Sequence, residues 1–155
     1  MKRIVTAIAL IALLLAAAPA TAKPKAYHYE GETEAGQSIE FTLTGKRISA
    51  INGLISTTCV PTHGAPLTFS YDFAPPGSFA LGKTRKASDT EYMAFKGDVT
   101  KYYTVKLKRI KGKNHWQADL SVNFSYEEVN FGSGSELVQR FFICQGDDSF
   151  TFVTP

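Results

Sequence analysis

Few side chains in this chain have the types and spacing that catalysis or metal binding requires. Its three histidines, His28, His63 and His115, are far apart and form neither H-x-H nor H-E-x-x-H. Ser133 lies among glycines, but its surroundings do not match the G-x-S-x-G of a nucleophile elbow. An enzyme needs a nucleophile, a base or a metal ion in a supported arrangement. We therefore expect a non-enzymatic protein with no catalytic residue, no bound metal and no cofactor.

His63 is the histidine with the strongest claim to a functional role. It lies in residues 59–66, a segment that begins at a cysteine and contains Pro61 and Pro66. Loops held by a rigid scaffold often carry binding residues. We take His63 as a candidate loop site, and the alternative is an ordinary exposed histidine.

The carboxylates occur in short groups that favour no particular chemistry. A calcium loop presents oxygen ligands at alternating positions, whereas Asp147 and Asp148 are adjacent and are typical of a turn. Glu30 and Glu32 share one face of a predicted strand, and Glu34 follows them. Spacing alone does not show what these glutamates contact.

The first 22 residues have the three-part plan of a cleavable secretory signal. Lys2 and Arg3 precede an uncharged stretch at residues 4–18, and residues 20–22 are Ala-Thr-Ala. The apolar stretch is shorter than the roughly 20 residues of a membrane-spanning helix. We predict a signal peptide at residues 1–22, containing the only helix, and one mature domain at residues 23–155. The mature protein is expected to be secreted or to lie in the periplasm or cell envelope, without a transmembrane span.

Cys59 and Cys144 are the two cysteines of the chain. In an exported protein an even number of cysteines predicts disulfide bonding. A redox-active pair usually has the spacing C-x-x-C, which is not found in this sequence. We therefore predict a Cys59–Cys144 bridge that joins the first third of the chain to its last strands.

The overall charge argues against nucleic acid as a partner. The chain has 17 basic and 14 acidic residues, and Lys2 and Arg3 of the predicted signal account for two of the basic ones. The mature chain is thus close to neutral, whereas nucleic-acid-binding domains are usually strongly basic.

The charge is nevertheless uneven along the chain. Residues 83–113 contain ten basic residues against Asp89, Glu91 and Asp98. This predicts a patch for an anionic partner, which we define as Lys101, Lys106, Lys108, Lys111 and Lys113. The partner would be an anionic polysaccharide, a lipid headgroup or an acidic protein. The alternative is a solvated strand face whose lysines discourage edge-to-edge pairing.

Alternation of apolar and polar residues dominates the mature sequence and predicts strands with one buried face. It occurs at residues 39–43, 67–73 and 103–107, and the longest run places these residues on one face: Trp116, Ala118, Leu120, Val122, Phe124 and Tyr126. About nine such strands without crossover helices predict a single-domain antiparallel β-sandwich, with a small β-barrel as the alternative.

Turn residues separate these runs. Gly45 and Gly112 are expected in hairpin turns, and Pro75-Pro76-Gly77 is expected to end the strand at residues 67–73. Residues 146–148 are expected to turn into a last strand at residues 149–153. Asn52-Gly53 predicts either a hairpin turn or a bulge that changes the buried face of its strand.

Several of these features occur together in one known group of proteins. They are Gly31-Glu32-Thr33, the run Ser-Ile-Glu-Phe-Thr-Leu at residues 38–43, Cys59 after the third strand, and Cys144-Gln145-Gly146. The chain resembles uncharacterised small exported bacterial all-β domains with two cysteines. The resemblance implies an all-β fold and carries over no catalytic residue.

These observations favour an exported, non-enzymatic binding or interaction module of the cell envelope or secretome. The alternatives are a hydrolase of unrecognised type and a β-barrel carrier of a small apolar ligand. A flat basic sheet would favour the interaction module, and His63 among carboxylates in a concave site would favour the hydrolase. A carrier would have an internal cavity lined by Phe69, Tyr71, Trp116 and Phe124.

Overall fold

The computed structural model describes residues 23–93, 97–110, 112, 114–131 and 137–155. The predicted signal peptide, Ser133, Lys111 and Lys113 lie outside these residues. No helix within the described ranges is long and apolar enough to cross a membrane.

The described part is all-β, as the sequence predicts, and consists of nine antiparallel strands in one strongly curled, half-barrel sheet. The strands are β1 (Ala26–Glu32), β2 (Ser38–Thr44), β3 (Arg47–Pro61), β4 (Leu67–Phe73), β5 (Ser78–Ala80), β6 (Thr84–Met93), β7 (Gly97–Arg109), β8 (His115–Phe131) and β9 (Leu137–Val153). Their hydrogen-bonded order is β1-β2-β3-β9-β8-β7-β6, and β4 and β5 both pair with β3.

Strand β3 connects the two halves of the sheet. Its first part pairs with β2 and β5, and its last part pairs with β9 and β4. Because residues 57–59 pair with β4 and β9 at once, these two strands lie on opposite edges of β3. Strands β1–β5 form one half of the sheet and strands β6–β9 form the other. Among the described residues, the β3–β9 ladder is the only strand pairing that joins the two halves.

A bulge in β3 explains why this long strand changes its buried face. Thr42 pairs with Ser49, but Glu40 pairs with Asn52, so two residues of β3 lie opposite Phe41. Ala50 has a φ of 49°, the left-handed conformation found in bulges. The bulge prediction is therefore confirmed, although the extra residue precedes Asn52-Gly53 by two positions.

The curl of the sheet brings the inner faces of distant strands together. Phe41 of β2 lies 5.2 Å and 5.0 Å, between ring centroids, from Phe150 and Phe152 of β9. The core also contains the alternating residues predicted from the sequence: Ile39, Leu43, Tyr103, Val105, Leu107, Ala118, Leu120, Val122 and Phe124. Removing these apolar side chains from water is the main stabilising contribution to such a fold.

The predicted hairpin turns at Gly45 and Gly112 are confirmed, with φ values of 59° and 67°. The prediction of a turn at residues 146–148 was wrong, because β9 continues through them to Val153. Gly146 instead allows β9 to approach β3 closely. A Cβ at this position would lie against the Thr57 side chain and 3.0 Å from the Ser56 carbonyl oxygen.

The positions of the two cysteines and the burial of β4 differ from the sequence predictions. Cys59 lies within β3 rather than after it, and Cys144 lies in the last strand. The apolar face of β4 is only partly buried, since Leu67 and Phe69 are exposed and Phe73 is fully buried. Among the described residues, β4 pairs only with β3, and the apolar side chains of its N-terminal part remain exposed.

Candidate functional site

The turns of the sheet gather at one end of the molecule and enclose a cleft of about 660 Å³. The β2–β3 turn contributes Gly45 and Lys46, and the β7–β8 turn contributes Asn114. The segment after β5 reaches the same place, because Leu81 donates its backbone N–H to the carbonyl of Lys46 at 2.9 Å. The last residues also close the cleft, since Thr154 donates its backbone N–H to the Asn114 carbonyl at 2.9 Å.

Two aromatic side chains and two leucines form the apolar part of the cleft. Tyr27 of β1 pairs in register with Leu43 of β2, so both lie on the inner face of the sheet. Trp116, the single tryptophan of the chain, and Leu81 complete this lining. Tyr27 and Trp116 are only partly buried, so their side chains remain accessible to a ligand.

Three cationic side chains line the same cleft: Lys25, Lys46 and Arg109. The ammonium group of Lys25 lies 5.0 Å from the ring centroid of Tyr27, within the range of a cation–π interaction. The Arg109 Nε–H donates to the Gly112 carbonyl at 3.0 Å, which orients the guanidinium from the β7–β8 turn. Among the described residues, no carboxylate side chain lines this cleft.

The described lining of the cleft combines apolar, cationic and neutral polar side chains. It includes no histidine, cysteine, serine or carboxylate side chain. Concave sites with apolar walls and a few placed polar groups typically bind small molecules, and their volumes are roughly 300–1,000 Å³. The cleft is within that range.

The structure divides the basic patch predicted from the sequence. Lys106 and Lys108 lie on the outer face of β7. Lys101 lies on the inner face, together with the buried Tyr103. The Nζ of Lys108 lies 3.2 Å from the Asp119 carboxylate. Lys106 lines a separate cavity of about 610 Å³ together with four acidic side chains: Glu34, Asp119, Asp147 and Asp148. The outer face of β7 therefore has its positive charges matched by acids.

Lys101 belongs to a largely buried group of residues between β4, β6 and β7. Its side chain is 12% exposed, forms an ion pair with Glu91, and lies 5.2 Å from the ring centroid of Tyr71. Burial raises the pKa of Tyr71 to about 12 and also raises the pKa of Tyr103. Both hydroxyls are therefore neutral at physiological pH. The contacts of Lys101 with Glu91 and Tyr71 link β7 to β6 and β4.

The other predicted site residues lie apart from the cleft. His63 is exposed in the connection between β3 and β4, and it forms no ion pair with any described carboxylate. Tyr71 stacks on Phe124 with ring centroids 4.8 Å apart, and Phe69 contacts Tyr71 edge-on. Of the four aromatic residues named for a carrier cavity, only Trp116 lines the cleft.

Most of the cleft residues were not identified from the sequence. Lys25 precedes the first strand, Lys46 lies in a hairpin turn, and Tyr27 has the ordinary alternation of a strand. Turn residues at one end of an antiparallel sheet do come together, and the sequence placed Lys46 and Arg109 next to turns. That signal does not indicate which turns meet, because this depends on the curl of the sheet.

Comparisons with known protein families, with curated protein sequences and with solved structures gave no match for this chain. The structure shows an all-β domain in which Cys59 and Cys144 form a disulfide bond.

Proposed function

We propose that this protein is an exported, non-enzymatic binding module whose cleft binds an anionic saccharide. The observation that carries the proposal is the pairing of aromatic faces with cations in one concave site whose described lining contains no acidic side chain. Tyr27 and Trp116 can stack on the flat faces of sugar rings, as aromatic residues do on other ring ligands. Lys25 and Lys46 can pair with uronate or sulfate groups of the same ligand.

The buried disulfide and the N-terminal sequence support the exported location. Structural disulfides persist mainly in oxidising compartments outside the cytosol, and the Cys59–Cys144 bond lies in the core of this domain. A secreted or envelope location would expose the cleft to anionic polysaccharides. The size of the cleft favours a short saccharide over the large flat surface of a protein partner, which usually buries about 800 Å² on each side.

Because Trp116 is the only tryptophan, its fluorescence reports directly on the cleft. We expect a short oligosaccharide of uronic acid units to change this fluorescence in a saturable way. A neutral oligosaccharide of the same length is expected to bind more weakly, and the uronate affinity is expected to fall with added salt. Equal affinity for both oligosaccharides would contradict the assignment of an anionic ligand.

Two variants test which residues hold the ligand. Tyr27→Ala is expected to weaken binding at least about fivefold, because a stacking contact contributes about 1–3 kcal/mol. Lys46→Glu is expected to weaken it about tenfold through charge reversal. The matched control is Lys106→Glu, which makes the same charge change on the outer face. Loss of binding in Lys106→Glu with retention in Lys46→Glu would reject the cleft as the site.

A further inference from the structure

A second group of side chains lies on the outer face of the β1–β2 hairpin, away from the cleft. His28 and Glu30 are two residues apart on β1 and therefore share a face, and Glu40 of β2 pairs in register with Glu30. The inward-facing Tyr29 between them stacks on Phe41 with ring centroids 4.8 Å apart, so the hairpin presents these three side chains to solvent.

The distances between the ligand atoms of this group are short. The Nε2 of His28 lies 3.4 Å from Oε1 of Glu30 and 3.8 Å from Oε2 of Glu40. All three ligand atoms lie within 4.8 Å of one another. The other oxygen of Glu40 accepts a hydrogen bond from the Asn52 amide at 3.0 Å, which leaves Oε2 directed towards His28.

The charge arrangement also favours a cation. Glu30 and Glu40 are directly opposite on neighbouring strands, and like charges in this position are unfavourable. A divalent cation between the two carboxylates would offset this repulsion. The group thus combines one nitrogen ligand, two charged oxygen ligands and an electrostatic reason to bind a metal ion.

We propose that His28, Glu30 and Glu40 form a binding site for a zinc ion. Tetrahedral zinc holds nitrogen and oxygen ligands at about 2.0–2.2 Å, which places neighbouring ligand atoms about 3.3–3.5 Å apart. The two distances from the imidazole are close to this spacing, and small side-chain rotations would bring the carboxylates into place. A histidine ligand favours zinc over calcium or magnesium, which prefer oxygen ligands. Water would occupy the fourth position.

The site would fasten the edge strand β1 to β2, because its ligands come from both strands. The purified, untagged protein titrated calorimetrically with zinc chloride is expected to bind one equivalent. His28→Ala is expected to reduce zinc affinity at least about tenfold, and Glu40→Gln by a similar factor. The matched control is His63→Ala, which removes an exposed histidine elsewhere and is expected to leave zinc binding unchanged.

Thermal melting gives a second readout that separates metal binding from folding. Without metal, His28→Ala is expected to melt like the wild type, because the His28 side chain is 56% exposed. Zinc is expected to raise the Tm of the wild type and of His63→Ala but not that of His28→Ala. Absent zinc binding, undiminished binding in His28→Ala, or equally strong binding of calcium chloride would overturn the proposal.

Discussion

Gly146 lies directly opposite Thr57, at one end of the β3–β9 ladder. A Cβ there would collide with the buried Thr57 side chain and lie 3.0 Å from the terminal methyl of Ile55. We expect Gly146→Ala to reduce the free energy of unfolding by about 1–3 kcal/mol, the usual cost of overpacking a core. Urea denaturation followed by Trp116 fluorescence measures this directly.

Gly31→Ala is the matched control, because a Cβ at that position would meet nothing within 4 Å. It is expected to change stability by less than about 0.5 kcal/mol. Equal stability of Gly146→Ala and Gly31→Ala would show that the β3–β9 spacing adjusts freely, contrary to the close approach described above.

The sequence predicted individual residues well where alternation alone decides burial. Ile39, Phe41 and Leu43 are buried as expected, and Phe142 rather than Phe141 is the buried member of its adjacent pair. Gly146 was assigned to a turn because glycine next to two aspartates is a usual turn signal. Its true role depends on a contact with β3, which lies far away in the sequence.

Strands β4 and β7 come together through two tyrosines, and this contact has a consequence at alkaline pH. Burial raises the pKa of Tyr71 to about 12, and the acids Glu91, Asp72 and Asp89 add to that shift. The pKa of Tyr103 is raised for the same main reason. An unfolded tyrosine has a pKa of about 10, so the native state holds these protons more tightly.

The stabilisation from these tyrosines is fully present below about pH 10 and is lost as the pH rises towards the folded pKa values. We expect the free energy of unfolding to fall between about pH 10 and about pH 12, by up to ~1.4 kcal/mol per pH unit for each tyrosine. Tyr71→Phe with Tyr103→Phe is expected to flatten this decline. Tyr102→Phe, at an exposed position of the same strand, is the control, and an identical decline in both variants would contradict the assignment.

At the scale of strands, the sequence predicted the class and most of the elements. The runs of alternation at residues 39–43 and 103–107 lie within β2 and β7, and the glycine turns join β2 to β3 and β7 to β8. The curl of the sheet was not predictable, since it depends on which edges of β3 pair with which strands. The cleft depends on these pairings, and the proposed zinc site depends on the register of the β1–β2 hairpin, so the sequence alone did not bring the residues of either together.

In the whole molecule, the β3–β9 ladder carries the covalent connection between the two halves of the sheet. Cys59 and Cys144 are the central pair of its five residue pairs, and both are fully buried. The bond spans a sequence separation of 85 residues. The predicted pairing of the two cysteines is thus confirmed, and its position explains why it should matter for stability.

We expect the double variant Cys59→Ala with Cys144→Ala to lose about 4 kcal/mol of stability, because the unfolded chain regains the entropy of a large loop. This corresponds to a decrease in Tm of at least about 8 °C. Differential scanning calorimetry of the oxidised protein and the variant gives the comparison. A difference within a few tenths of a kcal/mol would mean that strand pairing alone holds the halves together.

The distribution of charge over the molecule distinguishes two places for an anionic ligand. On the outer face, Lys106 and Lys108 are close to acids such as Asp119. In the cleft, Lys25 lies beside the Tyr27 ring and Lys46 lines the same cavity, and the described lining has no carboxylate side chain. Exposed charges that already have a partner of opposite sign contribute little to further binding. We therefore propose the cleft, rather than the outer face, as the site of the anionic ligand.

The most direct test of this claim is the NMR footprint of a uronic acid oligosaccharide on the isotopically labelled protein. At saturation, we predict that the largest chemical-shift changes occur at the Trp116 indole N–H, at Tyr27 and at the backbone of Lys46. The outer-face residues Lys106 and Lys108 are expected to shift little. Changes concentrated on the outer face of β7, or no changes at the cleft when binding is saturated, would contradict the account.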